Sequence, residues 1–206
     1  MSGQRTRVSP RMVWAAVHDE RRKLVADLAG LSEEQWATPS LCAGWDAHDV
    51  VAHLVDSAKT TRLGFARRLI AARFDFDLDN ERGIERERRS RPSGTLAALA
   101  AAAELSHTPP ANLATRLVEA VVHGEDIRRP LNLRSSYPMT AVLQALEYQL
   151  RTRVSMGGGK ERGQGVRLVA DDTGMSWGDG PEVRGSALDI LLAVSGRPTG
   201  VCLPGS

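Results

Sequence analysis

Leu41–Phe74, LCAGWDAHDVVAHLVDSAKTTRLGFARRLIAARF, carries the pattern that decides the fold class. Gly44 breaks the chain ahead of it. Asp46 then stands where a helix N-cap belongs, with Asp49 three residues on as the acid of a capping box. Behind the cap, Val50, Val51 and Leu54 surround His53, and apolar residues go on recurring at helical spacing. The stretch predicts one long helix running out to about Phe74.

Other helices flank it. Before it, Val13, Ala16, Val17, Leu24, Val25 and Leu28 share one face of a helix from about Ser9 to Ala29, which Gly30 ends. After it, Phe74 to Gly94 mixes both charges without an apolar period and predicts a polar connector. Thr95 to Leu105 is Ala-rich and helical. Pro109 and Pro110 interrupt it, and Asn112 can cap a helix that runs to about Arg129, before Pro130. A further helix, Thr140 to Val154, ends in Gly157–Gly159. Beyond those glycines the period changes. Val166–Ala170 and Met175–Trp177 flank Asp171, Asp172, Thr173 and Gly174 as a hairpin. A short helix from Ser186 to Ser195 follows, with Gly196 as its stop. The expected fold is mainly α: a helical bundle over 9–156, with a small α+β tail (hairpin plus short helix) over 160–206 packed on it. No internal repeat is visible.

The bulk numbers agree with a soluble domain. With 206 residues, 42% hydrophobic and 25% charged, the chain can bury a core without staples. Aromatics are only 4% of the residues, so Leu, Val and Ala must form that core. A net charge of +2 with both signs interleaved, as in Glu81–Arg91, lacks the one-sign patch of a nucleic-acid binder. Cys42 and Cys202 lie far apart and suit a reducing cytoplasm. The first residues show no apolar core of signal-peptide length, and no apolar run suffices to span a membrane. Nothing fixes the oligomeric state, and a homodimer is compatible with the sequence.

Three residues stand out for chemistry. His53 sits among apolar neighbours. Glu119 and His123, in RLVEAVVHGEDIRRP, are four apart and share a helical face one turn apart. Val118, Val121 and Val122 surround them, and a carboxylate among valines is costly unless paired or metal-bound. Spacing alone also allows an ordinary acid–imidazole pair, with Arg116 as an alternative partner for Glu119 and His53 as a satisfied core histidine. If the three converge, two histidines and one glutamate make a three-ligand zinc set with a position left open for water, thiolate or substrate. His18, His48 and His107 have no matching acid or histidine, and surface or capping roles account for them. Cys42 reads best as a small buried thiol.

Two segments resemble a known family. LCAGWDAHDVVAHLVD is similar to the start of the metal-binding domain of the mycothiol-dependent maleylpyruvate isomerase family, in the DinB-like superfamily of four-helix bundles. LVEAVVHGEDIRRPL matches its second signature, and ALDILLAVSGRP its ending, so the resemblance runs from about Val13 to Pro198. It implies a divalent metal, zinc, on His53, Glu119 and His123, with Asp126 supporting the ligand helix. It also implies an arginine assisting catalysis, for which Arg197 is the counterpart, although a charge complementing the helix dipole explains Arg197 equally well. The implied chemistry is that of a transferase or isomerase in which mycothiol or a similar small thiol attacks a small-molecule electrophile. A metal-bearing binding or stress-response module without turnover is the alternative. Arg128, Arg129 and Arg134 follow the ligand helix and either meet a dicarboxylate there or are solvated.

Overall fold

The structure, a computed structural model, describes residues 9–204. Most of the opening stretch read for an export signal, and the last two residues of the tail, lie outside them.

Helix α1 (Pro10–Leu28) starts where Ser9 Oγ accepts the Met12 N–H and Pro10 takes the first turn. A single turn, α2 (Glu33–Trp36), carries its own Ser32–Gln35 capping box. Helix α3 (Ala47–Lys59) begins on the expected box, Asp46 accepting from Asp49 N and Asp49 from Asp46 N. The long helix expected from there is in fact two. Thr60 turns extended, its Oγ1 bonding back to Asp56 O at 2.8 Å, and Thr61 caps a new helix, α4 (Arg62–Ala71). The two threonine hydroxyls make that break cheap, one meeting a carbonyl in the last turn of α3 and the other an N–H in the first turn of α4.

The expected connector after Phe74 is also largely helical. Asp75 accepts from Asp77 N and Leu78 N to start α5 (Phe76–Glu87), and α6 (Pro92–Ala102) opens on Pro92. Tertiary contact explains why periodicity missed α5. Its Gly83 meets α3 so closely that a Cβ there would lie 2.7 Å from Asp56 Oδ2. Asp56 also pairs with Arg68 of α4 and Arg86 of α5, each at 2.9 Å, and Arg68 pairs with Asp79 at 2.9 Å. Charge pairing, more than an apolar stripe, docks α4 and α5.

Helices α7 (Ala114–Arg128) and α8 (Met139–Arg151) complete the helical part. The bundle consists of α1, α3, α6 and α7, with α1 and α3 each packed on both α6 and α7. Leu24, Leu28, Val50, Val51, Leu54, Leu96, Leu99 and Ile127 fill its interior. Each such side chain taken out of water contributes roughly 1.5–3 kcal/mol before chain entropy is counted. A second cluster continues from the other end of α1 and α7 into the tail, joining Val13, Val17, Leu117 and Val121 to Leu146, Leu168, Ile190 and Leu191.

In the tail, β1 (Arg167–Ala170) pairs antiparallel with β2 (Ser176–Trp177), Leu168 opposite Trp177, as the expected hairpin. A third strand, β3 (Glu182–Gly185), was not anticipated. It runs parallel to β1 on its other side, giving the order β2-β1-β3. Its one strongly apolar residue, Val183, leaves no alternation to detect. Helix α9 (Ala187–Val194) is capped by Ser186 and covers the sheet, with α8 on its other side. The tail thus packs through α8 onto α7. No helix of the described residues is long and apolar enough to cross a membrane.

Candidate metal centre

His53 lies midway along α3, and Glu119 and His123 lie one turn apart on α7, which packs directly on α3. The two imidazole rings meet at 4.9 Å between centroids, close to edge-on. Trp45 closes the site from the loop before α3, its ring 5.1 Å from His53 and 6.3 Å from His123. That loop turns through Gly44 at φ +82°, which a side chain would strain, and Leu41 N donates to Asp126 O of α7 at 3.0 Å. The loop is therefore tied to both helices that carry the histidines.

Each polar side chain has a different support. His123 Nδ1 lies 2.9 Å from Asp126 Oδ2. Asp126 is fully buried and takes a two-pronged bond from Arg197, Nε at 3.0 Å and Nη2 at 2.8 Å. Arg197 Nη1 in turn donates to Ser195 O. The carboxylate fixes the Nδ1–H tautomer of His123, which leaves the Nε2 lone pair available to a ligand. Burial works to raise the Asp126 carboxyl, but His123 and Arg197 outweigh it and hold it below the ordinary range.

Glu119 faces Arg116, Oε2 to Nη1 at 2.7 Å, and Arg116 Nη1 is 2.6 Å from Ser57 Oγ on α3. Burial again opposes ionisation, but the guanidinium and the facing imidazoles keep the Glu119 carboxyl below its usual value. His53 is the exception. Its Nδ1 is buried without a hydrogen-bond partner, and burial together with His123 pushes the imidazole pKa down to about 3. It is neutral at physiological pH, with an uncommitted buried nitrogen. That is the protonation state a metal requires of an imidazole.

The pair of histidines separates two lobes of a cleft. One, with a volume of about 260 Å³, lies between α3, α4, α5 and α7 and is lined by Ser57, Arg68, Asp79, Arg116 and Glu119. The other, of about 540 Å³, lies under the tail and is lined by Cys42, Trp45, Gln149, Ser195 and Arg197. Asn80 of α5 borders both.

The structure thus brings His53, Glu119 and His123 to one place, with Asp126 behind His123 and Arg197 behind Asp126. Among the described residues no group of three or more His, Cys, Asp or Glu side chains stands as a ready coordination set, because Glu119 is drawn onto Arg116. The donor chemistry nevertheless fits a divalent ion: two imidazoles, one of them neutral with an idle buried nitrogen, and one ionised carboxylate.

Several residues sit elsewhere than expected. Arg128 is neither a cleft residue nor solvated. It is fully buried, ion-paired with Glu20 and, at 2.7 Å, with Asp27 of α1. Arg129 binds Glu125 and Asp189, tying α7 to α9, and Arg134 is exposed. None of the three lines the cleft, because the turn of α7 that carries His123 turns its last arginines toward α1 and α9. His18 pairs with Glu104, and buried His48 bonds Thr95 Oγ1 at 2.7 Å, both away from the cleft. Cys42 and Cys202 are free thiols, Cys42 half-buried in the second lobe, where burial raises its pKa. Trp45, Ser57, Asn80 and Gln149 belong to the cleft and had not been singled out. Only Trp45 left a trace in the sequence, inside the Gly-Trp pair.

Residues 17–108 match the family model of the mycothiol maleylpyruvate isomerase N-terminal domain. That match covers a little under half of the chain. It includes α3 with His53 and stops short of α7. Two crystal structures of mycothiol-dependent maleylpyruvate isomerase, one of a mutant form, share the fold across nearly the whole chain. Both superpose at a TM-score of 0.66, covering 96% of this chain and 93% of theirs, at 16% identity for one and 14% for the mutant. At that identity the likeness is one of fold, C-terminal tail included. No curated protein matches the chain.

Proposed function

We propose that this protein is a thiol-dependent transferase or isomerase of the mycothiol maleylpyruvate isomerase family type, holding one divalent metal, zinc by its donor set, on His53, Glu119 and His123. A small thiol such as mycothiol would take the open position and act on a small-molecule electrophile. The free thiols Cys42 and Cys202 and the lack of any spanning helix among the described residues suit a cytoplasmic enzyme. The observation that carries the reading is the pairing of unlike histidines. One is oriented by a buried carboxylate, and the other keeps a buried nitrogen idle at the same cleft wall.

A bound zinc would supply a Lewis acid that stabilises a thiolate near neutral pH. The chain supplies the rest. Asp126 holds His123 as the Nδ1–H tautomer and fixes its ring, and Arg197 holds Asp126 ionised. With Nε and Nη2 on Asp126 and Nη1 on Ser195 O, Arg197 is a positioning residue that acts through His123. Arg116 and Ser57 keep the Glu119 carboxylate charged in a setting where burial would protonate it. Trp45 covers both imidazoles, keeping water from the His53 nitrogen and narrowing the approach to the second lobe.

A second reading rests on the Arg116–Glu119 contact: Glu119 serves as that arginine's partner, and the protein is a binding module without turnover. One experiment separates the two. Elemental analysis of purified protein should give about one zinc-like ion per chain, lost in His53→Ala and in His123→Ala. Cobalt-substituted protein titrated with mycothiol should then show a thiolate-to-metal charge-transfer band. Metal retained in a variant carrying both His53→Ala and His123→Ala refutes the site. Metal without a thiol band refutes the enzyme and leaves the module.

A further inference from the structure

Helix α4 buries none of its own side chains. It is held from one side, where Arg68 joins it to Asp56 of α3 and Asp79 of α5 and where Ala72, just past its end, is buried. The opposite side carries Leu63 and Ile70, seven residues apart and therefore on one face, 80% and 65% exposed. Phe74, 69% exposed, follows them beyond the helix. These are the three most exposed large apolar side chains among the described residues. Single apolar residues on a surface need no explanation, but a ridge of them does.

The charge along the ridge has one sign. Arg67 stands between Leu63 and Ile70 on the same face, and Arg62 and Arg73 bracket them. All three are exposed, and none has an acidic partner among the described residues. No acid occurs between Asp56 and Asp75. Asp56 is taken by Arg68 and Arg86, Asp75 by the amides that start α5, and Asp77 lines the second lobe. The turn after α4 adds an independent observation. Arg73 and Phe74 have left-handed backbone, φ +55° and +64°, in the place after a helix that glycine ordinarily fills. A bulky L-residue is strained there, and Phe74 gains no burial to offset the strain. Folding stability is lost to hold a phenylalanine out in solvent, beside the other two apolar side chains.

We propose that this ridge docks reversibly on an anionic lipid bilayer. Leu63, Ile70 and Phe74 enter the headgroup boundary, and Arg62, Arg67 and Arg73 meet lipid phosphates. A helix lying in the interface plane binds in this way, by buried apolar area together with attraction to anionic headgroups. The contact is peripheral, since no helix of the described residues can cross the membrane. The shape selects a bilayer over an acidic protein. The ridge lines no cavity, the lobe beside α4 being reached by Phe65 and Arg68 on the helix's inner side. A fluid headgroup layer receives such a ridge anywhere, whereas a protein would have to present a matching acidic groove. A second copy of the chain is a poor occupant, because a symmetric contact sets the three unpaired arginines of each copy against those of the other.

The test sediments full-length protein with vesicles of phosphatidylcholine alone and of phosphatidylcholine and phosphatidylglycerol in about equal parts, at low and at physiological salt. Wild type should partition onto the anionic vesicles at least about tenfold more strongly, with the preference shrinking as salt rises. A variant with Arg62, Arg67 and Arg73 all changed to Gln should lose about a hundredfold in affinity, near fivefold for each arginine. Leu63→Ser combined with Ile70→Ser should lose at least about tenfold on the same vesicles. Phe74→Gly separates docking from folding. Its vesicle affinity should fall severalfold while its urea midpoint stays unchanged or rises, because glycine relaxes the left-handed turn. The arginine and serine variants, changed only at exposed positions, should keep the wild-type midpoint. Wild type that ignores the anionic vesicles overturns the proposal. So does a serine variant that binds as wild type does, which would reduce the contact to charge adsorption alone. Sedimentation velocity supplies the remaining outcome: a dimer that the serine variant abolishes would give the ridge to a second copy, and the lipid proposal falls.

Discussion

On the α7 side of the cleft, His123 is the first link of a hydrogen-bond chain that runs through Asp126 and Arg197 to the backbone of the tail. Across from it on α3, His53 has an idle buried Nδ1 and lies against the ring of Trp45, on a helix seated in the bundle core through Val50, Val51 and Leu54. Two histidines 4.9 Å apart are thus fixed by opposite means. The polar chain specifies a tautomer and ties the site to a distant segment, but it is exposed to failure at any link. The packed side tolerates change in the imidazole and depends on the helix being placed correctly. If that contrast is real, substitutions on the two sides should differ in size and in kind.

The largest effect should come from Asp126→Ala. It strands the Arg197 guanidinium in a largely buried position and frees His123 to turn. Breaking a buried pair by removing one partner costs about 3–5 kcal/mol. Urea unfolding of the variant should show a loss of that order, together with weakened metal binding. A variant as stable as wild type would show that the chain from His123 to the tail carries no energy, and the contrast would collapse.

On the packed side, what matters is the start of α3. Asp46→Ala removes the capping acceptor for Asp49 N and one acid of the Arg88 pair, since Arg88 Nη1 also reaches Asp49 at 2.8 Å. A lost N-cap costs about 1 kcal/mol. The same unfolding measurement should find a drop near that size, with metal affinity falling little because the rest of α3 is held by its core. A loss above about 3 kcal/mol would mean that the cap, rather than packing, places His53.

How far the molecule was legible follows the same division. Caps and apolar stripes announced α1, α3 and α7, and with them the helical bundle, while the convergence of His53 with Glu119 and His123 was implied only by the family resemblance. A stripe needs only one chain segment to be visible. Residues joined by long-range polar contact were not visible. Asp56 reads as one more acid on an apolar helix until Arg68 and Arg86 fold onto it from α4 and α5, so α5 looked like a connector. Arg128 reads as either a substrate contact or a solvated charge, because nothing in its own segment announces that Glu20 and Asp27, more than a hundred positions earlier, bury it. Gln149 had no signal at all. A glutamine on an amphipathic helix shows that it lines the cleft only when the elements around it can be seen together.

The smallest effect is expected at His53 itself, and it is the sharpest test of the comparison. In metal-free protein, His53→Leu exchanges an imidazole with a buried unpaired nitrogen for an apolar side chain against the ring of Trp45. No hydrogen bond of Nδ1 is lost, and an unsatisfied polar atom worth about 1–3 kcal/mol is removed, against some misfit of shape. Stability should stay within about 1 kcal/mol of wild type, or rise. With zinc in excess the order must reverse. A ligand that binds only the folded state at a hundred times its dissociation constant stabilises wild type by about 2.7 kcal/mol, and the variant, lacking a donor, should gain little. Unfolding both proteins with chelator and with zinc gives four numbers. The expected pattern is near equality without metal and a gap with it. A loss above about 2 kcal/mol without metal would show that His53 is a structural core histidine after all, because an idle nitrogen has no stability to lose. Equal gains from zinc in both proteins would remove His53 from the ligand set, leaving Glu119 to its ion pair with Arg116 and His123 to its hydrogen bond with Asp126.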